Sequence, residues 1–328
     1  MKLGILGTGL IVQDFLTVID KLKIDYVALL STERSRSRAE DLSAKYKIDK
    51  IYFDYAQMLA DKNIDTIYVA LPNFLHHQFA KQALDADKNV IVEKPCVTNF
   101  TEFYDLKNLV AEKNKILVEA TTTHYLPAFA GIKSDLNKLG DIKIVSINYS
   151  QYSRRYDDFK AGEVLPVFDP KKSGGAIMDI NFYNINFVVG LFGKPKSVFY
   201  SANIERDIDT SGVLILDYGN FKAVCIGAKD CQAITSSTIQ GDKGNIFFNS
   251  PVNRFESYTI NDNKGDKELK IFTPDKHRMI FEFESFIEMI DNHDTVKMNE
   301  MLSISETIVK IIQQARDQVG IVFPNDRK

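Results

Sequence analysis

Three side chains in this 328-residue sequence have the types and settings needed to move a proton. Lys94 ends the apolar run Asn89-Val90-Ile91-Val92-Glu93 and is followed by Pro95. A cation at a strand end can position a hydroxyl group, and its charge lowers the pKa of a neighbouring acid. The proline locks the turn after it and makes a cis bond possible. Further along, Ser173-Gly174-Gly175 reads as a glycine turn entering a helix that carries Asp179 and Tyr183. These two are four residues apart, hence on one helical face. A tyrosine there could exchange a proton with a substrate hydroxyl, and the aspartate could orient the substrate. Each residue also has an ordinary explanation: a lysine capping a strand, an acid suited to a helix N-terminus, a tyrosine in a core.

What these groups act on is suggested by the start of the chain. Gly7-Thr8-Gly9-Leu10-Ile11 follows the first apolar run and opens a helix, the context in which a glycine turn binds a dinucleotide. Gly7 permits the tight turn, and Gly9 lets backbone N–H groups approach a pyrophosphate. Val12 stands where a third glycine is usual. After the second apolar run the chain reads Ser31-Thr32, where an enzyme gripping the ribose of NAD usually places an acid. With Arg34 close behind, NADP is the better electrostatic fit and NAD the alternative; Glu33 could still reach the ribose. Arg34, Arg36 and Arg38 also read as the solvated face of the next helix.

These residues need a scaffold, and the hydrophobic pattern supplies one. From Met1 to about Ala120, short apolar runs alternate with amphipathic stretches, which predicts strand-helix-strand units and a doubly wound parallel sheet. Strands are expected at 3–6, 26–30, 51–53, 66–71, 89–92 and 116–119, with a helix over 74–86. In such sheets ligands bind beyond the carboxyl ends of the strands. The residues just after those ends are Gly7-Thr8-Gly9, Ser31-Thr32, Pro72-Asn73, Glu93-Lys94-Pro95 and Thr121-Thr122.

The second half predicts an α+β domain with an open, mostly antiparallel sheet and helices on one face. Strands are expected at 143–152, 196–202, 213–218, 222–228 and 233–240, and helices at 128–139, 176–191, 279–290 and 303–318. The domains are therefore set at 1–120 for dinucleotide binding and 121–328 for substrate binding and dimerisation. The segment Tyr152 to Tyr156 and the loop to Lys172 are expected to line the substrate side.

Composition narrows the function further. A hydrophobic fraction of 45% and a charged fraction of 26% are those of a globular protein, and a net charge of -3 gives no reason to expect nucleic acid or an anionic membrane as partner. Three cysteines, Cys96, Cys225 and Cys231, make no disulfide framework and suit a reducing, cytoplasmic setting. No signal peptide or bilayer-spanning run is read. The five histidines show no helical metal-site spacing, so no metal is expected. No nucleophile elbow or P-loop lysine supports a hydrolase or a kinase.

Taken in order, the glycine turn, Leu71-Pro72-Asn73 with His76, Glu93-Lys94-Pro95, Gly174-Gly175 with Asp179 and Tyr183, and Leu191-Phe192-Gly193 resemble the glucose-fructose oxidoreductase and inositol dehydrogenase family, Gfo/Idh/MocA. The resemblance covers essentially the whole chain and implies a Rossmann domain followed by the α+β domain. It implies an NAD(P)-dependent dehydrogenase acting on a sugar, polyol or related hydroxyl or carbonyl compound. Lys94 would sit between nicotinamide and substrate, often with a cis bond before Pro95. Tyr183 would be the acid/base, as in the glucose-fructose oxidoreductase and dihydrodiol dehydrogenase branch. The catalytic set is Lys94, Tyr183 and Asp179. The dinucleotide set is Gly7, Thr8, Gly9, Leu10, Ile11, Ser31, Thr32, Arg34, Leu71, Pro72, Asn73, His76, Glu93 and Lys94. A small-molecule substrate and a homodimer complete the expectation. The rival readings are a dinucleotide-binding sensor without turnover and an enzyme that keeps its cofactor bound to shuttle hydride between two substrates.

Overall fold

The computed structural model describes residues 1–272 and 276–327. By internal contacts the chain forms two compact units, Met1–Ala120 with Met279–Ser305, and Thr121–Arg278 with Glu306–Lys328.

In the first unit the runs read as strands pair in parallel. The chain order is β1 (Lys2–Leu6), α1 (Leu10–Leu16), β2 (Tyr26–Leu30), α2 (Arg36–Tyr46), β3 (Lys50–Tyr52), α3 (Tyr55–Ala60), β4 (Thr66–Val69), α4 (His76–Asp85), β5 (Asn89–Glu93), α5 (Phe100–Lys113) and β6 (Leu117–Ala120). The spatial order is β3-β2-β1-β4-β5-β6, so the strand order reverses between β1 and β4 while all strands stay parallel. Strands buried on both faces must be apolar throughout, and Thr66–Val69 and Val90–Val92 are buried without exception.

The second unit begins with α6 (Pro127–Asp135), β7 (Ile142–Ser150), α7 (Arg154–Lys160) and α8 (Ala176–Phe192). There follow β8 (Ser197–Glu205), β9 (Ile208–Asp217), β10 (Lys222–Ala228), β11 (Ser237–Gly241), β12 (Gly244–Phe248), β13 (Ser257–Asp262) and β14 (Lys267–Ile271). The eight strands lie in the order β14-β13-β12-β11-β7-β10-β9-β8. All neighbours run antiparallel except β7 and β10, which are parallel. Helix α8 packs on β7, β9 and β10.

The chain ends with α9 (Arg278–Asp291) and α10 (Thr295–Gln318). Although the pattern assigns 279–305 to the second domain, this segment packs with the first unit. The cause is aromatic: Phe283 stacks on Phe15 with ring centroids 4.1 Å apart and meets Tyr68 edge-on at 5.2 Å. Among the described residues no helix is long and apolar enough to cross a membrane.

Several elements differ from the pattern-based reading. Strands β12, β13 and β14 are additional, and β11 starts at Ser237 rather than 233. β14 escapes notice because, as an edge strand, Lys267–Ile271 is charged and largely exposed, the way sheets blunt their edges. Helix α10 begins at Thr295, eight residues before 303, over a polar stretch with little apolar periodicity.

Candidate active site

The first unit presents a cleft of about 570 Å³ at the carboxyl ends of β1, β2 and β4. Gly7, Thr8 and Gly9 form one wall, Ser31, Thr32, Glu33 and Ser35 a second, and Leu71, Pro72, Phe53, Tyr55, Leu75 and Phe79 an apolar third. Gly7 has φ +104, and a Cβ there would stand 2.9 Å from the Ala70 carbonyl oxygen. Only glycine makes that turn without strain. At Gly9 a Cβ would meet nothing within 4 Å, so the backbone is open to a ligand as α1 begins. Volume, apolar aromatic wall and open glycine backbone fit the adenosine and pyrophosphate of a dinucleotide.

Leu10, Ile11, Arg34 and Asn73 stand beside this cleft in the chain without lining it. The organised guanidinium is that of Arg36, which lies over the Phe53 ring at 3.7 Å. It donates through two nitrogens to Glu33, at 2.9 and 2.8 Å, and holds that carboxyl below its ordinary pKa range. Glu33 thus has a built-in cation.

At the end of β5 the Lys94–Pro95 peptide is cis. The turn is gripped from both sides by buried groups. His76, fully buried, places Nδ1 2.8 Å from the Pro95 carbonyl oxygen and Nε2 2.6 Å from that of Leu71. Burial pulls the imidazole pKa down, while the two carbonyls oppose that. His76 therefore ties the end of β4 to the Lys94 turn through main chain. Glu119 on β6, also buried, accepts from Cys96 N at 2.6 Å and from Ser305 Oγ at 2.6 Å. Burial raises its pKa, and these two donors pull it back. Tyr68 donates its hydroxyl proton to Glu93. Lys94 itself is partly exposed.

In the second unit, α8 carries Asp179 and Tyr183 one turn apart, both half-buried. The helix starts at Gly175, whose φ is +110 and whose missing Cβ would lie 2.1 Å from Asp209 Oδ1. That glycine admits Asp209, which accepts from Ile177 N at 2.7 Å and so caps α8 from β9. The Tyr200 hydroxyl donates to Asp209 Oδ2, the oxygen that also accepts from Ile177 N, at 2.7 Å. Burial nevertheless pushes Asp209 up to about 6. Along α8, Asn181 and Asn184 donate to the Cys225 and Ile226 carbonyl oxygens of β10, at 3.3 and 2.8 Å. The Tyr183 ring packs on Tyr149, Ala176 and Ile180. Asp179 Oδ2 accepts from Lys229 Nζ at 2.5 Å. Lys229, Asp209, Glu119 and Arg36 are absent from the sequence-based site. Their one sequence signal is position, since Lys229 directly follows the β10 run and Glu119 lies in the β6 run.

A parallel sheet with a glycine turn at its reversal point and a second, mostly antiparallel sheet carrying a tyrosine-bearing helix define a two-part dinucleotide-binding α/β protein. The chain belongs to the Gfo/Idh/MocA family of oxidoreductases: residues 1–121 match its model for an oxidoreductase with an NAD-binding Rossmann fold, and 135–247 match its C-terminal domain. It is 34% identical, over 100% of its own length and 99% of the relative's, to the scyllo-inositol 2-dehydrogenase (NADP(+)) IolU of Bacillus subtilis. It is 26% identical to the trans-1,2-dihydrobenzene-1,2-diol dehydrogenase of Xenopus laevis, over 98% of this chain and 99% of that one. In fold it matches the 3-ketoreductase KijD10 of Actinomadura kijaniata, solved with NADP and TDP-benzene, with a TM-score of 0.84 and 97% of each chain covered at 18% identity. The protein is an NAD(P)-dependent oxidoreductase.

Proposed function

We propose that the protein oxidises a secondary hydroxyl of a cyclic polyol or sugar, or reduces the corresponding ketone, with NADP as the preferred cofactor. The observation that carries the chemistry is a half-buried phenol, Tyr183, one helical turn from an ion-paired carboxylate, Asp179. The substrate class is supported by the full-length similarity to an inositol dehydrogenase.

In this reading Gly7, Thr8, Gly9, Ser31, Thr32, Leu71 and Pro72 bind the dinucleotide, with Arg36 and Arg34 as the cations near its ribose. The remainder of the cofactor set acts around that cleft, His76 through the main chain that it ties. A bound nicotinamide supplies hydride acceptance in one direction and donation in the other. Tyr183 takes the proton of the substrate hydroxyl during oxidation and returns it during reduction. The Lys94 ammonium stabilises the negative charge that develops on that oxygen. Asp179 orients the substrate. The first domain serves the cofactor, and the second serves the substrate and assembly.

The outer face of the eight-stranded sheet supports assembly as a homodimer. One row of register partners across it reads Phe199, Ile215, Val224, Ser146, Thr238, Phe247, Thr259 and Leu269. Phe199 and Leu269 are 59% and 60% exposed, and sheet-to-sheet packing in a two-fold pair would cover them. Light scattering that finds only monomer at micromolar concentration would exclude this arrangement. The partner expected at the site is a small molecule rather than nucleic acid or membrane. A reducing, cytoplasmic setting suits the three free cysteines, of which Cys231 is exposed.

Tyr183→Phe tests the assignment, because it keeps the ring and deletes only the exchangeable proton. With scyllo-inositol and NADP⁺, turnover should fall roughly a hundredfold to ten-thousandfold while NADPH affinity stays. An unchanged rate would reduce Tyr183 to a packing residue.

A further inference from the structure

Lys229 is a lysine where lysines are seldom found. Its side chain is 9% exposed, and its ammonium lies 2.5 Å from Asp179 Oδ2, whose own side chain is 35% exposed. Nothing about its backbone is loose: Lys229 N donates to the Thr210 carbonyl oxygen, and its own carbonyl accepts from Ser153 N, both at 2.9 Å. The strand that delivers it is pressed against α8, since a Cβ at Gly227 would stand 2.4 Å from Asn181 Cβ. The Asn181 and Asn184 bonds to β10 fix the register of that contact. The ammonium is thereby brought to one carboxylate on the face of α8 that also carries Tyr183.

We propose that Lys229 is a positioning residue that sets the charge around Tyr183 by holding and neutralising Asp179. The consequence for catalysis rests on Tyr183 being the acid/base, as proposed above. An ionised carboxylate one helical turn away resists formation of a tyrosinate, and a cation favours it. Paired, the two nearly cancel. Asp179 can then orient a substrate hydroxyl without raising the pKa of the group that must take its proton. Titratable groups near this pair include Tyr149, whose ring centroid is 6.2 Å from that of Tyr183, and Asp230, which follows Lys229 in the chain and accepts from the Thr210 and Ser211 hydroxyls at 2.7 Å each. All of these, and Lys94, stay constant across the variants below.

The test is a titration of tyrosinate absorbance in the folded protein, which needs neither substrate nor cofactor. The chain has 14 tyrosines, so each variant is measured as a difference against the same background carrying Tyr183→Phe. Lys229→Met removes this cation from the Asp179 carboxylate and should raise the Tyr183 midpoint by about one pH unit. Asp179→Asn leaves the ammonium uncompensated and should lower it by about one unit. The double variant should return to within a few tenths of wild type, and it also tests the idea should Lys229→Met alone fold poorly. A structural role for the pair predicts loss of melting temperature in both single variants without midpoint shifts of opposite sign. Shifts of the same sign, or an unmoved midpoint in the double variant's two parents, would overturn the proposal. If the opposite shifts appear while Tyr183→Phe retains full turnover, the charge device stands and the acid/base reading falls.

Discussion

The turn at Lys94 and the face of α8 at Tyr183 each carry one side chain to which the proposed function gives a reactive role, but they are held by different means. Around Lys94 the restraints act on main chain: His76 on the Pro95 carbonyl and Glu119 on the Cys96 N–H, both fully buried. Around Tyr183 one restraint also acts on main chain, Asp209 on the Ile177 N–H, and the other joins two side chains, Lys229 on Asp179. Buried main-chain ties fix geometry and leave the charge of the reactive group to its own ammonium. A side-chain ion pair fixes geometry and also delivers charge. The tyrosine end of the chemistry should therefore respond to pH and to remote charge substitutions, and the lysine end chiefly to loss of the lysine itself.

The sharpest way to break this contrast is Lys94→Met. The variant should fold and bind NADPH as wild type does, because His76 and Glu119 grip backbone rather than the lysine side chain. Turnover should nevertheless fall about 10²- to 10³-fold, the scale for removing a charge stabiliser from a transition state. Steady-state rates together with a fluorescence titration of NADPH check both halves. Near-normal turnover would remove the lysine from the chemistry, and lost NADPH binding would mean that its side chain, not the clamp, builds the turn.

Asp209 offers a second break, through stability. Burial raises its carboxyl from 3.8 to about 6 in the folded chain. A raised acid pKa means that the folded state holds a proton which the unfolded state releases. Stability is then full below about pH 4 and is lost as pH rises through about 6, by roughly 3 kcal/mol over that window. Asp209→Asn should remove this share of the pH dependence in urea unfolding between pH 4 and 7. An unchanged slope would mean that the carboxylate capping α8 is charged at little cost.

How far these differences could be seen beforehand follows from the same physics. The parallel sheet was legible because strands buried on both faces are nearly continuous apolar runs, as at Val90–Val92, and because glycine and proline punctuate their ends. The Gly7 turn, Lys94, Asp179 and Tyr183 were legible as residue types at those ends or at helical spacing. The groups that hold them were not. Glu119, Asp209 and Lys229 come from strands distant in sequence from the residues that they hold, and a single charged residue in an apolar run carries no periodicity to mark its partner. The placement of α9 with the first unit likewise depends on Phe283 meeting Phe15 and Tyr68, a contact no local pattern contains. His76 was singled out by its place after Leu71-Pro72-Asn73, and its ring nitrogens meet carbonyl oxygens rather than the cleft.

The smallest expected effect concerns the cofactor, and it asks whether charge is also managed at the lysine-bearing unit's outer rim. Ser31 and Thr32 bring no acid to the end of β2, so a 2'-phosphate meets no repulsion there, and NADPH should bind more tightly than NADH. Glu33 complicates this, since it lines the same cleft as Ser31 and Thr32. Its carboxylate is already engaged by both Arg36 nitrogens, and the guanidinium is further anchored on the Phe53 ring. Arg36 is thus shared between a resident carboxylate and an incoming phosphate. Glu33→Gln removes the competitor and leaves the cation in place, so the ratio of NADPH to NADH affinity should rise about 2- to 5-fold, the range of an exposed ion pair. The rise should shrink with added salt, because both partners are exposed. Fluorescence titrations of the two reduced cofactors at low and moderate salt measure it. A fall in the ratio would mean that Glu33 orders Arg36 for the phosphate instead of competing with it, and tighter binding of NADH by the wild type would reverse the cofactor assignment itself.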